Sequence, residues 1–240
     1  VWPGNLIQGK YIKDGTIAPV DLRNFRKPVS IYLNVINGSE GIRTVNGIEA
    51  TPASVTNAIN DIIKSQLDNN GSFYANLDFK SHQVQSYEEL LSVAEALDED
   101  AKEAFKNHNW KQSNKVFFLG KLRQVYYTIG LDSQASFYDM FDKKITQKDI
   151  APYVGSKNPL CYISEVSWGR VFYILYEFDV NKFIPSSNIM FGLETINTED
   201  PTFSPFEESV YKAAKVTVKQ YGGDAEKGIM TILESKNLNS

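Results

Sequence analysis

Tyr162-Ile163-Ser164-Glu165-Val166-Ser167-Trp168-Gly169-Arg170-Val171-Phe172-Tyr173 decides how the rest of this chain is read. It follows Gln124-Val125-Tyr126-Tyr127-Thr128-Ile129-Gly130-Leu131-Asp132. Both stretches are rich in aromatic and β-branched residues, the composition of strand. From Leu160 to Glu177 the only internal turn signal is Gly169. The sequence therefore predicts a strand of about 18 residues, some 60 Å at strand rise, where an ordinary strand has about 5–6. A strand of that length bends or bulges, and Trp168-Gly169 is the place that permits it. Lys115 to Leu131 predicts a second long strand of the same character.

Outward from these strands the elements are mixed. Val29–Ile36 and Phe73–Val84 predict strands, and Asn37–Gly41 a turn. Thr51 and Pro52 supply an N-cap and a first helical residue. Val55, Ala58, Ile59, Ile62, Ile63 and Leu67 then recur at helical spacing, up to a stop at Asn69-Asn70-Gly71. Ser86 to Asn109 is strongly helical, with Leu90, Leu91, Ala94, Leu97, Ala101, Ala104 and Phe105 on one side. Asp98 is a competent N-cap, so this segment reads as two helices. Phe137–Asp149 predicts short helical turns, Phe178–Pro205 an irregular stretch with three prolines, and Phe206–Lys212 a helix. Lys215–Gln220 predicts a short strand, Tyr221–Asp224 a turn, and Ile229–Leu233 a short strand or helix start. Strands and helices intersperse without βαβ alternation, which favours α+β over a doubly wound sheet.

Composition excludes several function classes. With 240 residues, 42% of them hydrophobic, the chain buries a sizeable core. A net charge of −4 and the lack of a basic stripe argue against nucleic acid as a partner. No run of 18 apolar residues predicts a transmembrane helix, and no signal peptide is present. The chain opens at Val1 without methionine, which reads as processed, trimmed or excised. A single cysteine, Cys161, excludes an internal disulfide and a cysteine-rich metal site. Nothing implies a cofactor. His82 and His108 are the only imidazoles, and neither they nor Cys161 sit in a nucleophile motif, so we expect no enzyme.

Tyr-Tyr-Thr-x-x-x-Asp, followed by Tyr-Ile-Ser-x-Val-x-aromatic-Gly-Arg-x-x-Tyr, resembles the cholesterol-dependent (thiol-activated) cytolysins and their bacterial relatives. Trp2-Pro3-Gly4, Lys27–Ile31, Asp139-Met140-Phe141 with Ile145–Ile150, and Gly222-Gly223-Asp224 fit in the same order, so the resemblance runs nearly end to end. It implies a bent, twisted four-stranded antiparallel sheet flanked by helical clusters. It further implies a scaffold domain of residues 1–80 and 121–160 and a pore-forming domain of 81–120 and 161–240. The family's C-terminal membrane-recognition domain has no counterpart here, so lipid recognition is expected to lie outside this chain.

The same resemblance assigns roles to residues. Ser86–Asn109 is expected to unfold from the sheet and cross a bilayer as a β-hairpin, with Leu90, Leu91, Val93, Leu97, Ala101 and Phe105 as apolar candidates. A second hairpin is expected from Lys182–Thr198, around Ile189, Phe191 and Leu193. Gly222-Gly223 is the expected hinge. Lys215–Gln220, with Val216 and Val218, is the expected guarded edge and Ile229–Leu233 its guard. The family's register aromatics align near His82 and Val216 and its acidic partner near Val84; a small slip puts Phe79 or Tyr87 there. Two readings follow. One is the core of a secreted pore-forming toxin that acts at a target membrane and assembles as a homo-oligomer. The other is a non-lytic adhesion or partner subunit on the same fold. Glu89 and Glu95 favour the second, because both fall on the Leu91, Val93, Leu97 face of an extended strand.

Overall fold

A computed structural model describes residues 1–35, 43–69, 76–94, 97–111, 114–132, 136–142, 144–179 and 214–223. In chain order the elements are β1 (Leu6–Gln8), β2 (Val29–Asn34), β3 (Thr44–Ile48), α1 (Pro52–Asp68), β4 (Asn76–Val84), α2 (Tyr87–Val93), α3 (Glu99–Lys106), β5 (Lys115–Leu131), α4 (Gln147–Ile150), β6 (Leu160–Tyr162), β7 (Glu165–Asp179) and β8 (Lys215–Tyr221). The class is α+β, as expected. The chain divides into two compact units, Val1–Ala75 with Tyr126–Trp168 and Asn76–Val125 with Gly169–Ser240. Among the described residues no helix is long and apolar enough to cross a membrane, which says nothing of crossing by strands.

In the first unit, β2 lies between β3 and the end of β5, antiparallel to both, with Ile31 opposite Leu131 and Asn34 opposite Thr128. α1 forms where the sequence places it. The Thr51 hydroxyl accepts from the Ser54 N–H at 3.3 Å, and Pro52 follows the cap. Its inward stripe is Val55, Ala58, Ile59, Ile62 and Gln66. The expected last member, Leu67, is instead 57% exposed. At 3.6 residues per turn, positions 55, 59, 62 and 66 stay on one face, and 67 drifts off it. Ile31, Val55, Ile62 and Ile129 form the centre of this core.

The predicted single strand Leu160–Glu177 is two strands, which corrects the sequence reading. β6 pairs with β1 in a separate two-stranded sheet. Ile163 closes that sheet: its carbonyl accepts from the Gly4 N–H at 2.7 Å, and its N–H donates to the Asn5 carbonyl. One residue later the backbone changes partner. The Ser164 carbonyl accepts from the Leu131 N–H at 2.8 Å, and β7 then runs beside β5. Thr128 meets Ser167 as Leu131 meets Ser164, so the two strands are antiparallel.

The second unit holds the expected four strands, in the order β4-β5-β7-β8. β4 pairs with β5 from Asn76 opposite Val125 to Val84 opposite Phe117, and β7 with β8 from Val171 opposite Tyr221 to Glu177 opposite Lys215. This sheet is apolar on both faces, because odd and even positions both carry large side chains. Phe117, Leu119, Tyr173 and Leu175 pack under α2 and α3, and Phe118, Phe172, Ile174, Tyr176 and Phe178 form a separate core.

Candidate detachable helix pair and edge strand

α2 and α3 are short, individually capped helices. The Ser86 hydroxyl accepts from the Glu89 N–H, and the Glu89 carboxylate accepts in turn from the Gln85 N–H at 2.7 Å. Asp98 caps α3 by accepting from the Ala101 N–H at 2.8 Å, the break its sequence predicts. Leu90, Ala94, Ala101 and Phe105 are buried against Val84, Phe117, Leu119 and Leu175. Val93 and Leu97 are partly buried at the margin of that core. Leu91 points outward, 37% exposed, against the expectation that it joins the inner face; Leu90 and Ala94 already occupy the stripe one turn apart, and 91 lies about 100° away. An open cleft of about 680 Å³ lies beside the helix junction, lined by Leu97, Asp98, Lys121, Arg123, Tyr173 and Tyr221.

A polar cluster ties the end of α3 to three strands. His108 follows α3, and its Nδ1 lies 3.1 Å from Glu177 Oε2 on β7. Its Nε2 lies 3.2 Å from Thr217 Oγ1 on β8. Lys115 of β5 donates to Glu177 Oε1 at 2.9 Å, and Lys215 of β8 stands 3.7 Å from Oε2. The side chains of His108 and Glu177 are only 7% and 11% exposed. Each ring nitrogen of His108 thus has an oxygen partner within hydrogen-bonding distance. Trp110 closes the cluster by packing its ring at a tilt of 35° against Phe117, with centroids 4.5 Å apart, and by donating to the Phe105 carbonyl. At the other end of α3 the Asp98 N–H donates to the Tyr221 hydroxyl at 3.0 Å.

Burial pushes the Glu177 carboxyl up, but hydrogen bonds from Lys115 and His108, with the charges of Lys115 and Lys215, outweigh it and leave it below its ordinary value of 4.5. A depressed carboxyl stabilises the fold above the unfolded pKa, and that contribution is lost as pH falls through the folded one. The melting temperature is therefore expected to fall as pH drops below about 4.5. Glu177→Gln should flatten that part of the profile; an unaltered acid limb in the variant would contradict the assignment.

Gly222 and Gly223 both have positive φ, +80° and +68°, the left-handed region glycine favours. A Cβ on Gly222 would also lie 2.6 Å from the Gly169 carbonyl oxygen. Val216 and Val218 are partly buried in the core that holds Phe118. Among the described residues β4 and β8 end the strand order of the second unit, so the strands that carry His82 and Val84 on one side and Val216 on the other do not pair there. Phe79 packs against the same core as Val216. Ile189, Phe191, Leu193, the Ile229–Leu233 guard, the Phe206–Lys212 helix and the Asn37–Gly41 turn lie outside the described residues. Sequence patterning does not single out Glu177, Thr217 or Tyr221, and it marks His108 only as a possible base.

Comparison with known proteins places this geometry. The family model described as thiol-activated cytolysin matches residues 1–238. Tetanolysin of Clostridium tetani is 26% identical over 215 residues, covering 84% of this chain and 38% of the relative. Perfringolysin O of Clostridium perfringens is 23% identical over 218 residues, covering 87% and 42%. The chain thus spans less than half the length of these curated relatives. Among solved structures, pneumolysin superposes with a TM-score of 0.70 at 18% identity, covering 98% of this chain and 52% of that one. Suilysin from Streptococcus suis gives 0.70 at 16% identity, covering 98% and 53%. The chain is a member of the thiol-activated cytolysins, a family of pore-forming toxins.

Proposed function

We propose that this chain is the core of a secreted pore-forming protein that oligomerises on a target membrane and inserts β-hairpins. Residues 1–80 and 121–160 serve as scaffold, and 81–120 with 161–240 as the inserting part. Residues 86–109 refold from helix pair to hairpin, Lys182–Thr198 supplies a second hairpin, and the Gly222-Gly223 hinge frees the β8 edge for another subunit. Recognition of lipid belongs to a domain outside these residues. The observation that supports this most is the construction of α2 and α3. Each is capped on its own, each is about two turns long, and isolated helices under about 12–15 residues are marginal in water. Their helical state therefore depends on the sheet face they cover. An exposed ladder such as an unguarded β8 is a template for a further strand.

A second reading is a partner subunit of the same fold that does not open pores alone. Glu89 and Glu95 support it, since carboxylates on the lipid face of a hairpin are costly near mid-bilayer. Dye release from vesicles by the intact protein, with and without related subunits, separates the two. Release by the protein alone supports the first reading, and release only with a partner supports the second. Stable membrane binding without release in either arm contradicts pore formation.

A further inference from the structure

α3 is fastened at both ends to the same strand, β8, the last of the sheet among the described residues. At its start the Asp98 N–H donates to the Tyr221 hydroxyl, and past its end His108 Nε2 meets Thr217 Oγ1. The spacing matches: the eight residues of α3 span about 12 Å, and about 13 Å of strand separates 217 from 221. Thr217 and Tyr221 share a face of β8, being an even number of residues apart. Each anchor is itself buttressed. The Tyr221 ring packs edge-on against Tyr173, with centroids 5.8 Å apart, and His108 is held by Glu177.

We infer that Thr217 and Tyr221 make β8 a two-point clasp on α3, so that departure of the helix and rearrangement of the edge strand are one coupled step. α3 cannot leave the sheet without stripping both hydroxyls of partners, and β8 cannot shift or twist to accept a new neighbour without losing the same two bonds. The geometry stands by itself; its purpose rests on the proposed refolding of 86–109. In that refolding, coupling keeps a hairpin from being released before an edge is ready, and an edge from being exposed on a chain whose helices are still docked.

The test is native-state hydrogen exchange on the intact protein carrying Tyr221→Phe, Thr217→Val, or both. Each change removes one hydroxyl and keeps the side-chain shape. Losing one hydrogen bond should speed exchange of the 99–106 amides by roughly two- to tenfold. The 215–221 amides should speed by the same factor, while α1 of the first unit stays as it was. Glu177→Gln, which keeps both hydroxyls but loosens the imidazole, is the second route and should act on both segments alike. Faster exchange in α3 with β8 unchanged, or no change in either, overturns the clasp. Vesicle release by the same variants separates this from the pore reading. Coupled exchange in a protein that never releases dye leaves the clasp standing and removes the pore.

Discussion

Gly169→Ala is expected to unfold the second unit or to cost it about 4 kcal/mol or more, a size reserved for changes with a definite steric cause. The added Cβ would lie 1.9 Å from the Gln124 carbonyl oxygen, 2.9 Å from its carbon and 3.0 Å from the Val125 Cα. Carbon atoms in contact sit about 3.5–4.0 Å apart, so something must move. All three obstacles are backbone. Gln124 and Val125 are fixed in turn by pairing with Leu77 and Asn76. On the other side Gly222 approaches the Gly169 carbonyl so closely that it too has no room for a Cβ. The glycine that the sequence marks as a bend is thus, in the fold, a point of close backbone approach between β5 and β7. Gly155→Ala is the control: nothing lies within 4 Å of its Cβ position, and the change should stay within about 0.5 kcal/mol. Urea unfolding of the two variants checks the contrast.

Phe105→Ala is expected to cost about 3–5 kcal/mol, the range for emptying a fully buried aromatic site. Phe105 has no exposed surface and is the largest side chain that α3 contributes to the core under the helices. The loss should also be local. Leu90, Ala94, Ala101 and Phe105 are the buried apolar anchors of the two short helices, so exchange protection across 87–106 should collapse before that of β5 or α1. A uniform loss of protection throughout the chain would mean that the helix pair is an integral part of one cooperative unit, and would count against its being a detachable flank.

Local chemistry decides which parts of this architecture can be read from the sequence. β5 runs from Lys115 to Leu131 as the aromatic and β-branched pattern indicates, and the caps at Thr51 and Asp98 act where their residue types predict. The break between β6 and β7 is invisible in Tyr162–Glu165 itself, because it is made by the Gly4 and Leu131 N–H groups, which draw the neighbouring carbonyls of Ile163 and Ser164 toward different strands. β3 carries only five residues, Thr-Val-Asn-Gly-Ile, with too little alternation to announce a strand. The cluster around Glu177 gathers His108, Lys115 and the Lys215–Thr217 stretch of β8 from three places along the chain. No spacing rule links them, because strand register and the docking of α3 bring them together. The resemblance carried by Gly169 and the strands around it reached the family correctly, and what it could not supply is how this chain fastens its helices.

The proposed pore requires residues 86–109 to be helix in water and strand in a bilayer. Cys161→Ser removes the only cysteine, after which single cysteines carrying an environment-sensitive dye can be placed at successive positions from 88 to 94 in the intact protein. On vesicles that are leaking, emission is expected to alternate residue by residue, the period of a strand with one face in lipid. Emission that keeps the three-to-four-residue rhythm of α2 while the vesicles leak would contradict the proposed pore.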